Sequence, residues 1–334
     1  MLINLKIFKF FFVILIIVLF FVFLFSQGHI YNKEELEYGL TFSKKQAENL
    51  GFDWQKVYLE ILNDLEVKKI RLIAYWDEIE ISDNQFFWDD IDCQIEQANN
   101  ANAEVILAIG GRLPRWPECH FPKWIDNAAK EQREIATLNY IKKTVERYKD
   151  KQIIKAWQIE NEPFLSNFGK CPVLDNVFFD KEIALVKNLD NRPIVVTDSG
   201  EFSLWVQAAK RADIFGTTLY RFAYSDLFKK DIDFLITPAF YRFKKNISGI
   251  FVQPKEWIVI ELQTEPWGSK PYQDLTQSER NKTMNLEKFK NTLEFARRTG
   301  FRQFYLWGAE WWYWEKEKNN NPTLWQEAKN LFKI

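Results

Sequence analysis

The chain has 334 residues, 47% of them hydrophobic, so it is long enough to bury one large core. Its 45 lysines and arginines nearly balance 46 aspartates and glutamates, and the absence of a long basic run argues against a nucleic-acid partner. Cys93, Cys119 and Cys171 lack metal-ligand spacing and allow one disulfide at most, so we expect neither a metal nor a cofactor. Only two histidines occur, which shifts proton transfer towards carboxylates.

The N-terminus, residues 1–30, predicts a transmembrane segment. Lys6 and Lys9 precede an unbroken apolar stretch, 10–25, which reaches the minimum length of a span when its flanks contribute. The end of the stretch, Leu24-Phe25-Ser26, fits a cleavage site poorly, so an uncleaved signal anchor is favoured over a cleaved signal peptide. The lysines are expected to stay in the cytoplasm. The lipid bilayer is therefore an expected partner, and the rest of the chain is expected on the extracytoplasmic side.

A polar linker at 31–35 leads into a domain at 36–334 in which strand and helix patterns alternate eight times. The predicted strands are 38–42, 70–75, 104–109, 153–160, 193–197, 214–219, 257–263 and 301–307. The predicted helices are 53–67, 89–100, 127–148, 181–188, 202–211, 231–243, 278–298 and 323–332. Eight such units predict an α/β fold, the (β/α)8 TIM barrel. A doubly wound sheet is the competing fold, but its Gly-rich nucleotide-binding turn is missing after the first strand.

Two glutamates lie at predicted strand ends, where a barrel of this type carries its reactive groups. Glu162 follows the fourth strand, next to Asn161 and Pro163, and Glu261 lies in the seventh. Strands four and seven face each other across the mouth, so the two carboxyls can come within about 5–5.5 Å, the spacing for retaining cleavage of a glycosidic bond. The amide of Asn161 is expected to bind a sugar hydroxyl.

Asn161-Glu162-Pro163 on strand four, together with a glutamate on strand seven, resembles the clan of retaining (β/α)8 glycoside hydrolases. That clan includes the cellulase-like family 5 and the family 42 β-galactosidases. The resemblance implies that Glu162 is the acid/base and Glu261 the nucleophile. Cellulase-like members often carry histidines after strand three and on strand six, and this chain has none there, so cellulase activity in particular is not expected.

The resemblance also implies supporting positions. Arg71 on strand two corresponds to an arginine near the nucleophile, Tyr220 after strand six to a tyrosine that touches it, and Trp307 on strand eight to a tryptophan beneath the sugar. For Arg71, an ion pair at the bottom of the barrel is the alternative. Glu265, four residues after Glu261, shares its strand face if the strand continues, and so is the alternative nucleophile. Glu261 is favoured because the apolar run ends there, which leaves Glu265 as a subsite residue.

Tryptophans are abundant after the predicted strands, on the presumed active rim. Large aromatic faces suit sugar rings. Those predicted to contact substrate, besides Trp307, are Trp76, Trp116 and Trp267. A packing role is expected for the crowded group Trp311, Trp312 and Trp314.

Other polar residues near the rim are given structural roles. His120 is interpreted as a loop histidine, and Asp198, Ser199 and Glu201 as rim or helix-cap groups. The sequence thus predicts a membrane-anchored retaining glycosidase acting on an extracytoplasmic carbohydrate. The alternatives are a non-catalytic glycan-binding protein on the same scaffold, a transglycosylase, and a metal-dependent barrel hydrolase, which the lack of clustered ligands disfavours.

Overall fold

The structure is a computed structural model that describes residues 2–165, 168–172, 174–225 and 228–333, with side chains from residue 7. Eight parallel strands close into a barrel in which each strand pairs with the next along the chain and the last pairs with the first. Barrel strands 1 to 8 are Glu37–Thr41, Lys69–Ile73, Glu104–Ile109, Ile154–Ile159, Ile194–Asp198, Ile214–Leu219, Glu256–Gln263 and Gln303–Trp307. The predicted (β/α)8 barrel is therefore confirmed.

Helices surround the barrel. In chain order they are α1 Leu2–Phe25, α2 Lys44–Asn49, α3 Trp54–Asn63, α4 Trp76–Ile79, α5 Asp89–Asn100, α6 Lys130–Tyr148, α7 Asn176–Leu189, α8 Val206–Ala209, α9 Pro238–Phe251, α10 Gln277–Thr283, α11 Leu286–Arg297, α12 Ala309–Lys318 and α13 Thr323–Phe332. Two short 3-10 helices, Lys33–Glu35 and Tyr272–Asp274, and two hairpins, Glu80–Ser82 with Gln85–Phe86 and Phe222–Ser225 with Lys230–Asp233, complete the described elements.

The helical layer departs from the sequence pattern in several places, and the short helices α2 and α4 were not predicted. The predicted helix 231–243 is wrong at its start, because Lys230–Asp233 is the second strand of a hairpin and α9 begins at Pro238, a residue favoured in the first helical turn. The predicted helix 278–298 is two helices, since Asn285 caps the N-terminus of α11 through the Lys288 N–H. Helix α12 has no predicted counterpart.

The interior of the barrel is filled by apolar side chains from strands 3, 4, 5, 7 and 8. Those that pack together there are Ile106, Ala156, Val195, Ile258, Ile260 and Tyr305. A larger apolar layer lies between the strands and the helices. Each large side chain buried in this way stabilises the fold by roughly 1.5–3 kcal/mol. The floor beneath the strand ends is therefore a solid core, which fixes where each strand places its last side chains.

The cysteines form one disulfide, and the N-terminus forms one long apolar helix. Cys119 and Cys171 form the one disulfide that the sequence allows, and Cys93 is free and half-buried. The N-terminal helix carries a span at Ile7–Phe25 with a mean hydropathy of 3.2, none of it buried. Its length and composition suit a membrane span or a signal sequence.

The ends of barrel strands 3 and 4 pack so closely that only glycine fits at position 110. Gly110 has φ +131°, and a Cβ there would lie 2.4 Å from the Glu160 Oε1 atom. That carboxyl accepts hydrogen bonds from the backbone N–H groups of Gly111 and Arg112. An added methyl group must therefore displace a buried carboxylate from its donors.

We predict that Gly110→Ala lowers the free energy of unfolding by about 2–3 kcal/mol, since it combines backbone strain with lost hydrogen bonds. Thermal unfolding of the full chain in detergent measures the effect. Gly249→Ala in α9 is the matched control, because a Cβ there meets nothing within 4 Å. It should leave Tm unchanged or raise it. Equal Tm values for the two variants would contradict the predicted clash.

Candidate active site

Glu162 is held in a strained turn directly after barrel strand 4. Its φ is +43° and that of Glu160 is +57°, both in the left-handed region that costs a residue other than glycine free energy. The Glu162 N–H donates to Thr197 Oγ1 on barrel strand 5 at 2.8 Å, which fixes the turn. Its side chain is almost fully buried. Burial first, and then the negative charges of Glu261, Glu118 and Asp198, raise the pKa of Glu162 well above its usual range.

Glu261 lies on barrel strand 7 at an irregularity in the strand. Val259 pairs with Thr217 of strand 6 and Glu261 with Thr218, so Ile260 is an extra residue on strand 7. Such a bulge changes the direction of the side chains beside it. The Glu261 carboxyl accepts from Arg71 Nη1 at 2.7 Å and from the Tyr220 hydroxyl at 3.1 Å. Strand 7 thereby delivers a carboxylate with two fixed donors.

Arg71 is a fully buried cation that joins three strands. Besides its bond to Glu261, its Nε donates to Gln158 Oε1 at 2.8 Å and its Nη2 to Asn161 Oδ1 at 2.8 Å. These acceptors lie at or beyond the C-terminal halves of strands 4 and 7. The alternative of an ion pair at the bottom of the barrel is therefore wrong. Arg71 contacts groups at the mouth of the barrel, and its role beside the nucleophile stays a prediction.

Asn161 uses its amide to connect this network to a third carboxyl. Its Oδ1 accepts from Arg71, and its Nδ2 donates to Glu118 Oε2 at 2.9 Å. An amide nitrogen has two hydrogens, so one remains for another acceptor. The contact of Asn161 with a sugar hydroxyl stays a prediction, and in the structure its amide positions Arg71 and Glu118.

Glu118 is a site residue that the sequence did not reveal. It lies in the loop after barrel strand 3, next to Cys119, whose disulfide to Cys171 ties this loop to the segment after strand 4. Burial and the negative charge of Glu261 raise the pKa of Glu118 to about 8. No spacing in the sequence indicates this placement, because it depends on the path of a long loop.

Glu265 belongs to a second cluster, at the ends of strands 7 and 8. Its carboxyl accepts from Arg115 Nη1 at 2.5 Å and from the Trp307 indole at 2.8 Å. Arg115 also donates to buried Glu310 at 3.0 Å and lies 4.1 Å from the centre of the Trp307 ring. Arg115 and Glu310 were not predicted. Glu265 thus acts as the partner of Arg115, whereas Glu261 lies near enough to Glu162 to raise its pKa.

The predicted aromatic contacts divide into two groups. Trp116 is 62% exposed beside Phe168, and half-buried Trp267 meets Tyr220 edge-on at 5.3 Å. Both remain candidates for substrate contact, as does Trp307, although Arg115 covers one face of its ring. The prediction that Trp76 contacts substrate is wrong. This side chain is fully buried and stacks on Tyr140 at 5.1 Å, so its ring is part of the core and cannot meet a sugar.

The remaining residues singled out from the sequence have structural surroundings. Burial raises the pKa of Asp198 to about 6. Glu201 accepts from the Tyr220 N–H at 2.9 Å and the Tyr241 hydroxyl at 2.6 Å, so it positions Tyr220. His120 is buried, with its Nε2 3.2 Å from the Arg115 carbonyl oxygen. Trp311 and Trp312 are buried as well, in agreement with the expected packing role.

Metal coordination has no visible basis in the part of the chain that the structure describes. Within it, no group of three or more His, Cys, Asp and Glu side chains is placed to hold an ion. Three of the carboxyls at the mouth form ion pairs instead: Glu261 with Arg71, and Glu265 and Glu310 with Arg115.

One family model and several solved structures match this chain. The model of glycosyl hydrolase family 10 matches residues 69–180, about a third of the chain, which includes Arg71, Glu118 and Glu162. No curated protein matches the sequence. The resemblance to the retaining (β/α)8 glycoside hydrolases is confirmed, and the family model that matches part of the chain is that of family 10.

Three solved structures illustrate the shared fold. Xylanase 10B from Thermotoga petrophila RKU-1, in complex with xylobiose, is 15% identical with a TM-score of 0.57, over 92% of this chain and 99% of that one. A family 10 endoxylanase from a sugarcane soil metagenome is 15% identical with a TM-score of 0.57, over 83% and 87%. A β-galactosidase from the psychrophilic Marinomonas ef1 is 12% identical with a TM-score of 0.55, over 81% of this chain but only 54% of that one.

The raised pKa of Glu118 predicts a pH-dependent stability. A carboxyl whose pKa rises from 4.5 to about 8 on folding contributes stability that is full below pH 4.5 and is lost as pH rises to about 8. Glu118→Gln stays neutral throughout. We predict that Tm of this variant, relative to the parent, rises between pH 5 and pH 9. Glu131→Gln, at an exposed position of α6, should show no such change. A constant difference for Glu118→Gln would contradict the assigned pKa.

Proposed function

We propose that the chain is a retaining glycosidase in which Glu162 is the acid/base and Glu261 the nucleophile. The observation that carries the proposal is the unequal surroundings of the two carboxyls. Burial and neighbouring negative charges favour the protonated form of Glu162. Arg71 and Tyr220 donate to Glu261, which suits a carboxylate. A carboxyl that favours its protonated form, opposite one that two fixed donors contact, suits the roles of proton donor and nucleophile.

In the first step, Glu162 gives its proton to the leaving oxygen while Glu261 attacks the anomeric carbon and forms a glycosyl ester. The ester no longer carries the negative charge that raised the pKa of Glu162. The pKa of Glu162 therefore falls in the intermediate. In the second step its carboxylate removes a proton from water, the water oxygen bonds to the anomeric carbon, and the ester bond to Glu261 breaks.

The substrate that fits the proposal is a carbohydrate with a glycosidic bond within reach of both acids. Trp116 and Trp267 offer aromatic faces beside the mouth for sugar rings. Solved structures with a similar fold include an endo-β-1,4-xylanase, a β-1,4-mannanase and a β-galactosidase. Helix α1 would hold the enzyme in the membrane, with the barrel on the extracytoplasmic side, since Lys6 and Lys9 favour the cytoplasm.

The proposal is tested with the full chain on aryl β-glycosides and β-linked polysaccharides. We predict hydrolysis in which NMR of the first-formed sugar shows the anomeric configuration of the substrate. Glu162→Gln should lower kcat/KM about 10²–10⁴-fold, because it removes general acid/base catalysis. An inverted first product, or hydrolysis that survives in both Glu162→Gln and Glu261→Gln, would refute the mechanism. Binding without turnover by the parent would favour the glycan-binding alternative.

The choice between Glu261 and Glu265 as nucleophile has its own test. Glu261→Ala should abolish hydrolysis, and azide should restore turnover by attacking the anomeric carbon from the vacated side, giving a glycosyl azide of inverted configuration. Glu265→Ala is the matched control, and it should retain a covalent intermediate and a retained product. Azide rescue with inversion in Glu265→Ala rather than in Glu261→Ala would exchange the two roles.

A further inference from the structure

Side chains of α9 hold the C-terminal end of α1 by donating hydrogen bonds to carbonyl groups there. The last carbonyl groups of a helix lack partners within it. In α1 and the residues just after it, Asn246 Nδ2 donates to the Phe25 and Gln27 carbonyls at 2.7 and 2.8 Å, and Arg242 Nε donates to the Ser26 carbonyl at 2.7 Å. The Arg242 cation also suits the negative end of the helix dipole. The C-terminal end of the apolar helix is therefore tied to α9 on one side of the barrel.

The contacts give the two helices a direction. Arg242 lies against Ser26 and Gly28, whereas Asn246, one turn later in α9, donates to the carbonyls of Gln27 and Phe25, each one residue nearer the span. The later residue of α9 thus contacts the earlier residues of the N-terminal segment, so the two helices run in roughly opposite directions. The last turn of α9 continues along α1 towards the apolar span that ends at Phe25.

That last turn exposes large apolar side chains. Ile250 is 59% exposed and Phe251 69%. Leu204, 85% exposed, lies beside the same turn, because its carbonyl accepts from the Ser248 hydroxyl at 3.4 Å. We call Leu204, Ile250 and Phe251 the α9 flank. Single exposed apolar residues are ordinary, but a group of them marks a surface that another partner covers.

We propose that the α9 flank lies in the bilayer that α1 crosses, at the boundary between headgroups and acyl chains. The inference rests on the proposed anchoring by α1. The continuity of the surface identifies the partner, because the flank begins where α1 is attached and follows the same direction towards the span. An apolar surface beside a membrane helix is stabilised when it enters the lipid, because its transfer out of water is favourable.

The placement sets the orientation of the mouth. In a (β/α)8 barrel each helix runs back from the C-terminal ends of the strands to their N-terminal ends, so the last turn of α9 lies at the bottom of the barrel. With the α9 flank in the bilayer, the mouth that holds Glu162 and Glu261 faces away from the membrane. The substrate class is then a glycan that approaches from the solvent side, rather than the headgroup of a lipid in the same membrane.

Depth-dependent quenching tests the inference. The full chain with Cys93→Ser receives one bimane label, at Phe251→Cys, and is reconstituted in phosphatidylcholine vesicles that contain 5-doxyl phosphatidylcholine. We expect the doxyl lipid to quench this label at least twofold more than a label at Ile135→Cys, a matched site of equal exposure on α6. A second label, at Leu204→Cys, should behave like that at Phe251→Cys. Unchanged Tm values confirm that the variants fold.

A label at Leu19→Cys in α1 separates the possible failures. If Leu19→Cys is quenched while Phe251→Cys and Leu204→Cys behave like Ile135→Cys, the anchor stands and the inference about the flank is overturned. Coverage of the flank by a second copy of the chain would give that same result. If Leu19→Cys is not quenched, α1 does not enter the bilayer, and both the anchoring and this inference fail.

Discussion

The site depends on the need to neutralise one buried cation, Arg71. A charged group without contact to water must have its hydrogen bonds met, and losing a partner of a buried pair costs about 3–5 kcal/mol. Arg71 has three partners, Glu261, Asn161 and Gln158, which come from two strands on opposite sides of the mouth. The hydrogen bonds that offset the cost of burying Arg71 therefore also hold the proposed nucleophile and the residue before the proposed acid/base.

The same constraint explains why the acids of the mouth differ. Arg71 and Arg115 neutralise Glu261 and Glu265, each by direct contact. Glu162 and Glu118 share the buried space without a cation of their own at such distance, so burial raises the pKa of each. An excess of carboxyls over cations in a closed volume forces some of them to stay protonated. The proposed role of Glu162 as proton donor thus rests on its burial together with the positions of the two arginines, which pair with other acids.

The sequence predicted the parts of this arrangement that repeat. Apolar strands recur with a period that identifies all eight barrel strands, and strand ends locate Glu162 and Glu261. Contacts made by long loops have no such signal, which is why Arg115 and Glu118 were missed. The position of Trp76 after a strand indicated the rim, but position does not give side-chain direction, and its ring packs inward. Lys230–Asp233 pairs with Phe222–Ser225 in a hairpin, so the helix pattern that begins at residue 231 in the sequence was extended too far towards the N-terminus.

The disulfide connects the site to the proposed location of the barrel. Cys119 and Cys171 join the loops after strands 3 and 4, which carry Arg115 and Glu118 on one side and follow Glu162 on the other. A bond of this kind persists in oxidising compartments and is rare in the cytosol. The loop that supplies Arg115 and Glu118 therefore keeps its position best outside the cytoplasm. That is the side on which the lysines before the apolar stretch 10–25 would place the barrel, so the charge pattern of the N-terminus and the disulfide favour the same compartment.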